Sequence, residues 1–332
     1  MINAIQECVR AADAAVAKLY LSCFRERDGL ISFLFHSLFR DDDEIRKDLV
    51  DPLQRTTVPK FRRLIAYYHR HGYQFVSPAD VLAGLGPCGK YALLTFDDGY
   101  YNNIRALPVL EEFNVPAVFF VSTEHVKQNK CFWWDVLHRE RAAQGASFVQ
   151  IYREGLAFKA FRTEQIEEAL KKRFGPQAFF PRGDLDRPFT PEELKAFAQH
   201  PCVRLGNHTA NHAILTNYTA DEVQEQMKSA QEALVEMTGI RPSAIAYPNG
   251  AHSGTVLDAC GDVGLKVGFT IRPEKHGLPV GPQTPDLLRL GRFSPHGFGP
   301  IEPQCRTYRS DFLLYGLFRD GYLKLFRGLT SQ

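Results

Sequence analysis

The sequence predicts an α/β fold: a barrel of alternating strands and helices, related to the (β/α)₈ type, with a mostly helical insertion. Two observations carry this. Seven short apolar runs are separated by amphipathic segments, which is the pattern of a mostly parallel sheet. The rhythm then breaks once, over residues 125–200.

Residues 1–30 read as an N-terminal helix and its exit. Ile5, Val9, Ala12, Val16, Leu19 and Cys23 recur every three or four positions and predict one apolar stripe packed on the main domain. The strand candidates follow as ISFLF (31–35), YALLTF (91–96), AVFFV (117–121), VRLGN (203–207), SAIAY (243–247), KVGFT (266–270) and LLRLG (287–291). Of the helices between them, 220–238 is the clearest. Val223, Met227, Ala230, Leu234 and Met237 make one face, and Thr219 with Glu222 forms a capping box. Thr190-Pro191-Glu192-Glu193 opens another helix with proline at its first position. The insertion carries CFWWD and two charged helical stretches. Trp133 or Trp134 is expected either to line the substrate groove or to pack the insertion onto the barrel. The barrel is expected to span 31–304. Residues 305–332 form an amphipathic tail rich in aromatic and basic side chains.

Apolar residues make up 44% of the 332-residue chain, enough for a large core, and the net charge is only +2. That balance gives no electrostatic footprint for nucleic acid. Seven scattered cysteines, without a C-x-x-C, argue against a disulfide scaffold and against a cysteine zinc site. The first twenty residues lack a basic start followed by an apolar core, and no run approaches the ~20 apolar residues of a membrane span. The expected location is cytoplasmic. The tail would allow peripheral contact with the inner face of a membrane.

Chemistry concentrates in two clusters. In LLTFDDG, Asp97 and Asp98 stand at the end of an apolar run. Adjacent carboxylates repel, and burying them is costly unless something positive compensates. In LGNHTANH, His208 and His212 are four apart, which on a helical turn sets both rings on one face. Both clusters follow strands, so both should reach the same rim, where barrel enzymes work. One aspartate and two histidines give three ligands for a divalent metal and leave a position for water.

TFDDG (95–99), HTANH (208–212) and AYPNG (246–250), in that order, resemble the polysaccharide deacetylases, the nodulation-protein deacetylase group of carbohydrate esterases. The resemblance runs from about Ile31 to Arg292 and implies a distorted (β/α)₇ barrel. It implies a hydrolase of carbon–nitrogen bonds that removes acetyl groups from N-acetylated sugars. Asp98, His208 and His212 match the metal ligands. The metal would be zinc, with Co²⁺, Ni²⁺ or Mn²⁺ as alternatives. Asp97 matches the general base, and Thr209 a position that shapes the histidine loop. Tyr247 and Pro248 match a segment lining the substrate groove, where a backbone N–H helps hold the oxyanion.

The chain also departs from the family pattern. Ala246 stands where an arginine usually orients the base, so Arg289 on the LLRLG run is expected to reach Asp97 instead. His208 follows Asp98 by 110 positions, a longer gap than usual. LLRLGRF lacks the late histidine that serves as acid. In the branch whose barrel opens with a "YH" strand, the histidine of that strand takes the role. Here that residue is His36 in FLFHS. An amidohydrolase of a ureide or formamide, and a non-catalytic glycan-binding protein of the same fold, are the competing readings.

Overall fold

The computed structural model describes residues 2–310, with side chains from residue 9 onward. Six parallel strands form most of a ring. They are β1 (Gly29–Phe35), β3 (Lys90–Phe96), β4 (Ala117–Val121), β5 (Val203–Asn207), β6 (Ala244–Ala246) and β7 (Val267–Phe269), in the order β7-β6-β5-β4-β3-β1. The short β2 (Gln74–Phe75) lies parallel beside β3, and β8 (Lys275–His276) runs antiparallel to β1. β1 and β4 are buried along their whole length, as parallel strands covered on both faces must be.

LLRLG is not a strand. Leu287–Arg289 makes a 3₁₀ turn, and the extended segment comes just after it. Leu290 bridges Phe269, and Phe293 bridges Phe33, both in parallel. Residues 290–293 therefore join β7 to β1 and close a seven-membered, distorted barrel.

Alternation along the strands sorts two layers. Ile31, Phe33, Phe35, Leu94, Phe96 and Phe119 face outward onto helices through Phe61, Leu64, Tyr68 and Leu234. Leu30, Leu93, Val118, Phe120, Phe269 and Leu290 fill the interior. The expected face of helix Ala220–Thr238 is buried throughout, and the Thr219–Glu222 capping box forms. Between β4 and β5, helices Trp133–Ala143, Phe148–Phe158 and Thr163–Phe174 build a separate small core around Trp133, Leu137, Ile166 and Leu170.

The N-terminal helix, Ile2–Cys23, packs on helix Ile301–Ser310, but not by the expected stripe. Asp13 and Ala17 are buried, whereas Val16 is 37% and Leu19 66% exposed. The tail from 311 on, with its expected membrane contact, lies outside the described residues. Among those described, no helix is long and apolar enough to cross a membrane.

Glu26 ties these two helices to the bottom of the barrel. Its carboxylate takes Arg309 at 2.8 Å, Lys90 at 3.1 Å and the Tyr73 hydroxyl. Burial works to raise its pKa, but Arg309, Tyr73 and Lys275 outweigh it and hold the carboxyl down at about 2. A depressed carboxyl contributes stability above its unfolded pKa, about 4.3, and loses it as pH falls through the folded value. Glu26→Gln should therefore cost ~3 kcal/mol near pH 7 by urea unfolding. The difference should shrink as pH falls from 4 towards 2. A cost independent of pH would show that the charge is not what matters.

Candidate active site

In β3, Leu93 and Thr95 face the interior, so Asp97, two residues on, points into the barrel mouth. Arg292 meets it there. Its Nη1 donates to Asp97 Oδ1 at 2.7 Å and its Nη2 to Oδ2 at 2.8 Å. Nη1 also donates to Thr95 Oγ1 at 2.8 Å, and Nε to the Thr270 carbonyl at 2.9 Å. Arg292 is fully buried. Burial raises the Asp97 pKa, but Arg292 and then His208 override it, so the carboxyl lies below its ordinary range.

Arg289 does not perform this task. It is half exposed and pairs with Asp286 on the surface. The extended segment starts at Leu290, three residues later than the leucine run suggests, so Arg289 falls outside the barrel. The usable signal was alternation from Leu290, which faces the interior and carries Arg292 with it.

Asp98 would point outward on a continued strand. Instead its φ of 80° turns the chain, and Gly99 follows at 90°. A left-handed conformation at a residue with a Cβ costs of order 1–3 kcal/mol, which the surrounding site has to sustain. A side chain at Gly99 would also press on Val121, 3.1 Å from a Cβ built there. The turn brings Asp98 Oδ1 to 3.3 Å from His208 Nε2 and 3.4 Å from His212 Nε2.

The histidines arrive from β5, whose Asn207 pairs with Val121 in register. They sit not on a helical turn but on a loop with Thr209 at φ 63° and His212 at φ 51°. Asn207 Oδ1 accepts from Thr209 N at 2.8 Å, and Thr209 Oγ1 accepts from Ala213 N at 2.9 Å, which fixes the loop. His208 Nδ1 donates to the Ala246 carbonyl at 2.8 Å, so its Nε2 lone pair faces Asp98. Burial depresses the His208 pKa, but Asp97 and Asp98 reverse this and raise it. His212 is pushed well below its usual value by burial and by His208.

Asp98 is 1% exposed, and neither carboxylate oxygen has a hydrogen-bond partner among the described residues. Asp98, His208 and His212 offer ligand atoms all within 4.8 Å of one another. A buried carboxylate with both oxygens orphaned, facing two imidazole nitrogens, fits a divalent cation with N and O preferences such as zinc.

His36 follows β1 onto the same rim and lines the same cavity, of about 930 Å³. Its Nδ1 lies 3.0 Å from Gln54 Oε1, an acceptor, which leaves Nε2 as the uncommitted nitrogen. Gln54 is itself held by donating to the Leu34 carbonyl at 2.8 Å. Nothing in the sequence marked Gln54, since its role depends on a loop returning to the rim.

Tyr247 and Pro248 do not line the cavity; Asn249 does. The Tyr247 hydroxyl donates to the Leu288 carbonyl at 2.9 Å inside a buried cluster. Its backbone N–H donates to the Phe269 carbonyl, and Pro248 has none to offer. Trp133 and Trp134 both border the cavity. The Trp134 ring lies 4.4 Å from that of His212, and its Nε1–H donates to the Tyr100 hydroxyl at 2.9 Å.

The model of the family described as polysaccharide deacetylase matches residues 85–150 and 152–268. A curated relative from Bacillus subtilis (strain 168), named "Putative polysaccharide deacetylase YxkH", is 23% identical over 65% of this chain and 59% of its own. The chain thus spans under two thirds of that relative's length. Among solved structures, the Streptococcus pyogenes deacetylase PplD in complex with acetate matches with a TM-score of 0.57. It has 18% identity over 85% of this chain and 99% of its own. IcaB from Ammonifex degensii gives 0.55 and 16% over 86% and 99%. At these identities the two structures speak for the fold.

Proposed function

Because the chain belongs to the polysaccharide deacetylase family, we propose that it hydrolyses the acetamide of an N-acetylated sugar in a glycan or glycan precursor. One observation carries the reading. Two adjacent buried aspartates are treated in opposite ways: Asp97 is clamped by an arginine, and Asp98 is left open toward two histidines.

Asp98, His208 and His212 would hold the cation, which when bound supplies a Lewis acid for the carbonyl and a more acidic water. Asp97, ionised and aimed by Arg292, takes the proton of the attacking water. The new C–O bond forms as this proton leaves. His36 Nε2 is the nitrogen free to give a proton to the departing amine as the C–N bond breaks. Acetate and a free amino sugar result. Buried Thr95 and Thr270 hold Arg292, so the base keeps its orientation through the cycle.

Mass spectrometry of candidate N-acetyl sugars incubated with the zinc-loaded protein tests the reading. Loss of an acetyl mass is expected. Unchanged sugars alongside conversion of a formamide or ureide would assign a different amide. His36→Ala should keep fold and metal, lose about 10²-fold or more in turnover, and lose the alkaline limb of the pH–rate profile. Near-normal turnover with an unchanged profile would move the acid elsewhere.

A further inference from the structure

The cavity extends well beyond the reacting groups, and one of its walls is unusual. Helix Phe148–Phe158, opened by a Ser147–Gln150 capping box, turns one whole face to it. Phe148, Ile151, Tyr152, Gly155, Leu156 and, just past the helix, Lys159 all line the cavity at helical spacing. Phe148 is 37%, Tyr152 43% and Leu156 45% exposed, and Leu53 nearby 49%. An apolar face of this extent left open marks a binding surface. Aromatic rings stack on sugars, but Leu53, Leu137, Ile151 and Leu156 have neither a ring face nor a polar group to offer a sugar. The wall suits hydrocarbon.

Cations border the same space. The Arg55 guanidinium lies 5.1 Å from the centre of the Phe298 ring, and Arg10 reaches the same ring at 5.9 Å. Among the described residues, neither the Arg55 guanidinium nor the Lys159 ammonium makes an ion pair or hydrogen bond. Asp51, which also lines the cavity, acts on Lys159 only at a distance. Apolar wall, the Arg55 and Lys159 cations and hydrolytic centre share one cavity, and they call for a ligand with a hydrocarbon chain, an anionic link and a sugar.

We propose that this cavity takes a lipid-phosphate-linked sugar. The chain lies on the Phe148–Leu156 face, the phosphate sits at Arg55 with Arg10, and the N-acetyl group reaches Asp97 and Asp98. The proposal rests on the deacetylase reading for its chemistry but not for its binding.

The two are separable in one set of measurements. The chain has only two tryptophans, Trp133 and Trp134, and both border the cavity, so intrinsic fluorescence reports occupancy. Farnesyl phosphate, kept below its micelle concentration, should give a saturable change with the zinc-loaded full chain. Leu156→Asp should weaken it about 10-fold or more, and Arg55→Gln several-fold. Val149→Asp, on the same helix but outside the cavity, should leave it unchanged. In turnover, farnesyl-diphosphate-linked N-acetylglucosamine should exceed triacetylchitotriose in kcat/KM by about 10-fold or more, and Leu156→Asp should erase that ratio. Acetate release from chitotriose with no saturable response to farnesyl phosphate overturns the lipid proposal. So does equal weakening by Val149→Asp. Leu156-dependent binding of farnesyl phosphate with no acetate from either sugar supports the lipid site and removes the deacetylase reading.

Discussion

Asp98→Ala should lose bound metal and hydrolytic activity together, whereas Asp97→Asn should keep the metal and lose about 10²–10⁴-fold in turnover. The two residues are neighbours of similar burial, so a general disturbance of the loop would affect both variants alike. The split follows from their partners. Asp98 has both oxygens free beside two Nε2 atoms, and removing it takes away one of the three groups that would hold the metal. Asp97 has both oxygens on Arg292, and asparagine keeps the shape while losing the charge that accepts a proton. Metal content by atomic spectroscopy, read beside acetate release, separates them. Normal metal in both variants would refute the ligand assignment.

Arg292→Met should be the most destabilising single change in the barrel. It leaves the Asp97 carboxylate buried without its partner, a loss of about 3–5 kcal/mol for a broken buried pair. Adding Asp97→Asn to Arg292→Met should recover part of it, because the uncompensated charge is gone. Arg289→Met, which touches only an exposed pair, should stay within about 0.5 kcal/mol and keep its turnover. Urea unfolding of the metal-free proteins compares the three. Equal, small losses at 289 and 292 would show that the buried pair contributes little.

The strands, the two clusters and their common rim were legible because each rests on local pattern. Apolar runs define β1 and β3 through β7, and the residue after a strand end falls at the rim. What the pattern could not reach was set by tertiary geometry. The closing segment is only four residues long and follows a 3₁₀ turn, so a leucine-rich run drew the strand to 287–291 and promoted the wrong arginine. The i, i+4 spacing of the histidine pair is the helical one. Two left-handed residues produce the same convergence on a loop, and no spacing rule distinguishes them. The N-terminal helix buries Ala17 and Asp13 while Leu19 stays exposed, which hydrophobic periodicity alone does not foresee. Ala246 is instructive in another way. It has no side chain to reach Asp97, but its carbonyl fixes His208, while Arg292 on the closing segment holds Asp97.

The most direct measurement is acetate released as zinc is returned to chelator-stripped protein, with N-acetylglucosamine oligomers and farnesyl-diphosphate-linked N-acetylglucosamine as substrates. The account predicts no release from stripped protein, a rise that saturates at one metal per chain, and no rise for Asp98→Ala. Release from the stripped protein, or full metal loading without acetate from either substrate, would contradict it.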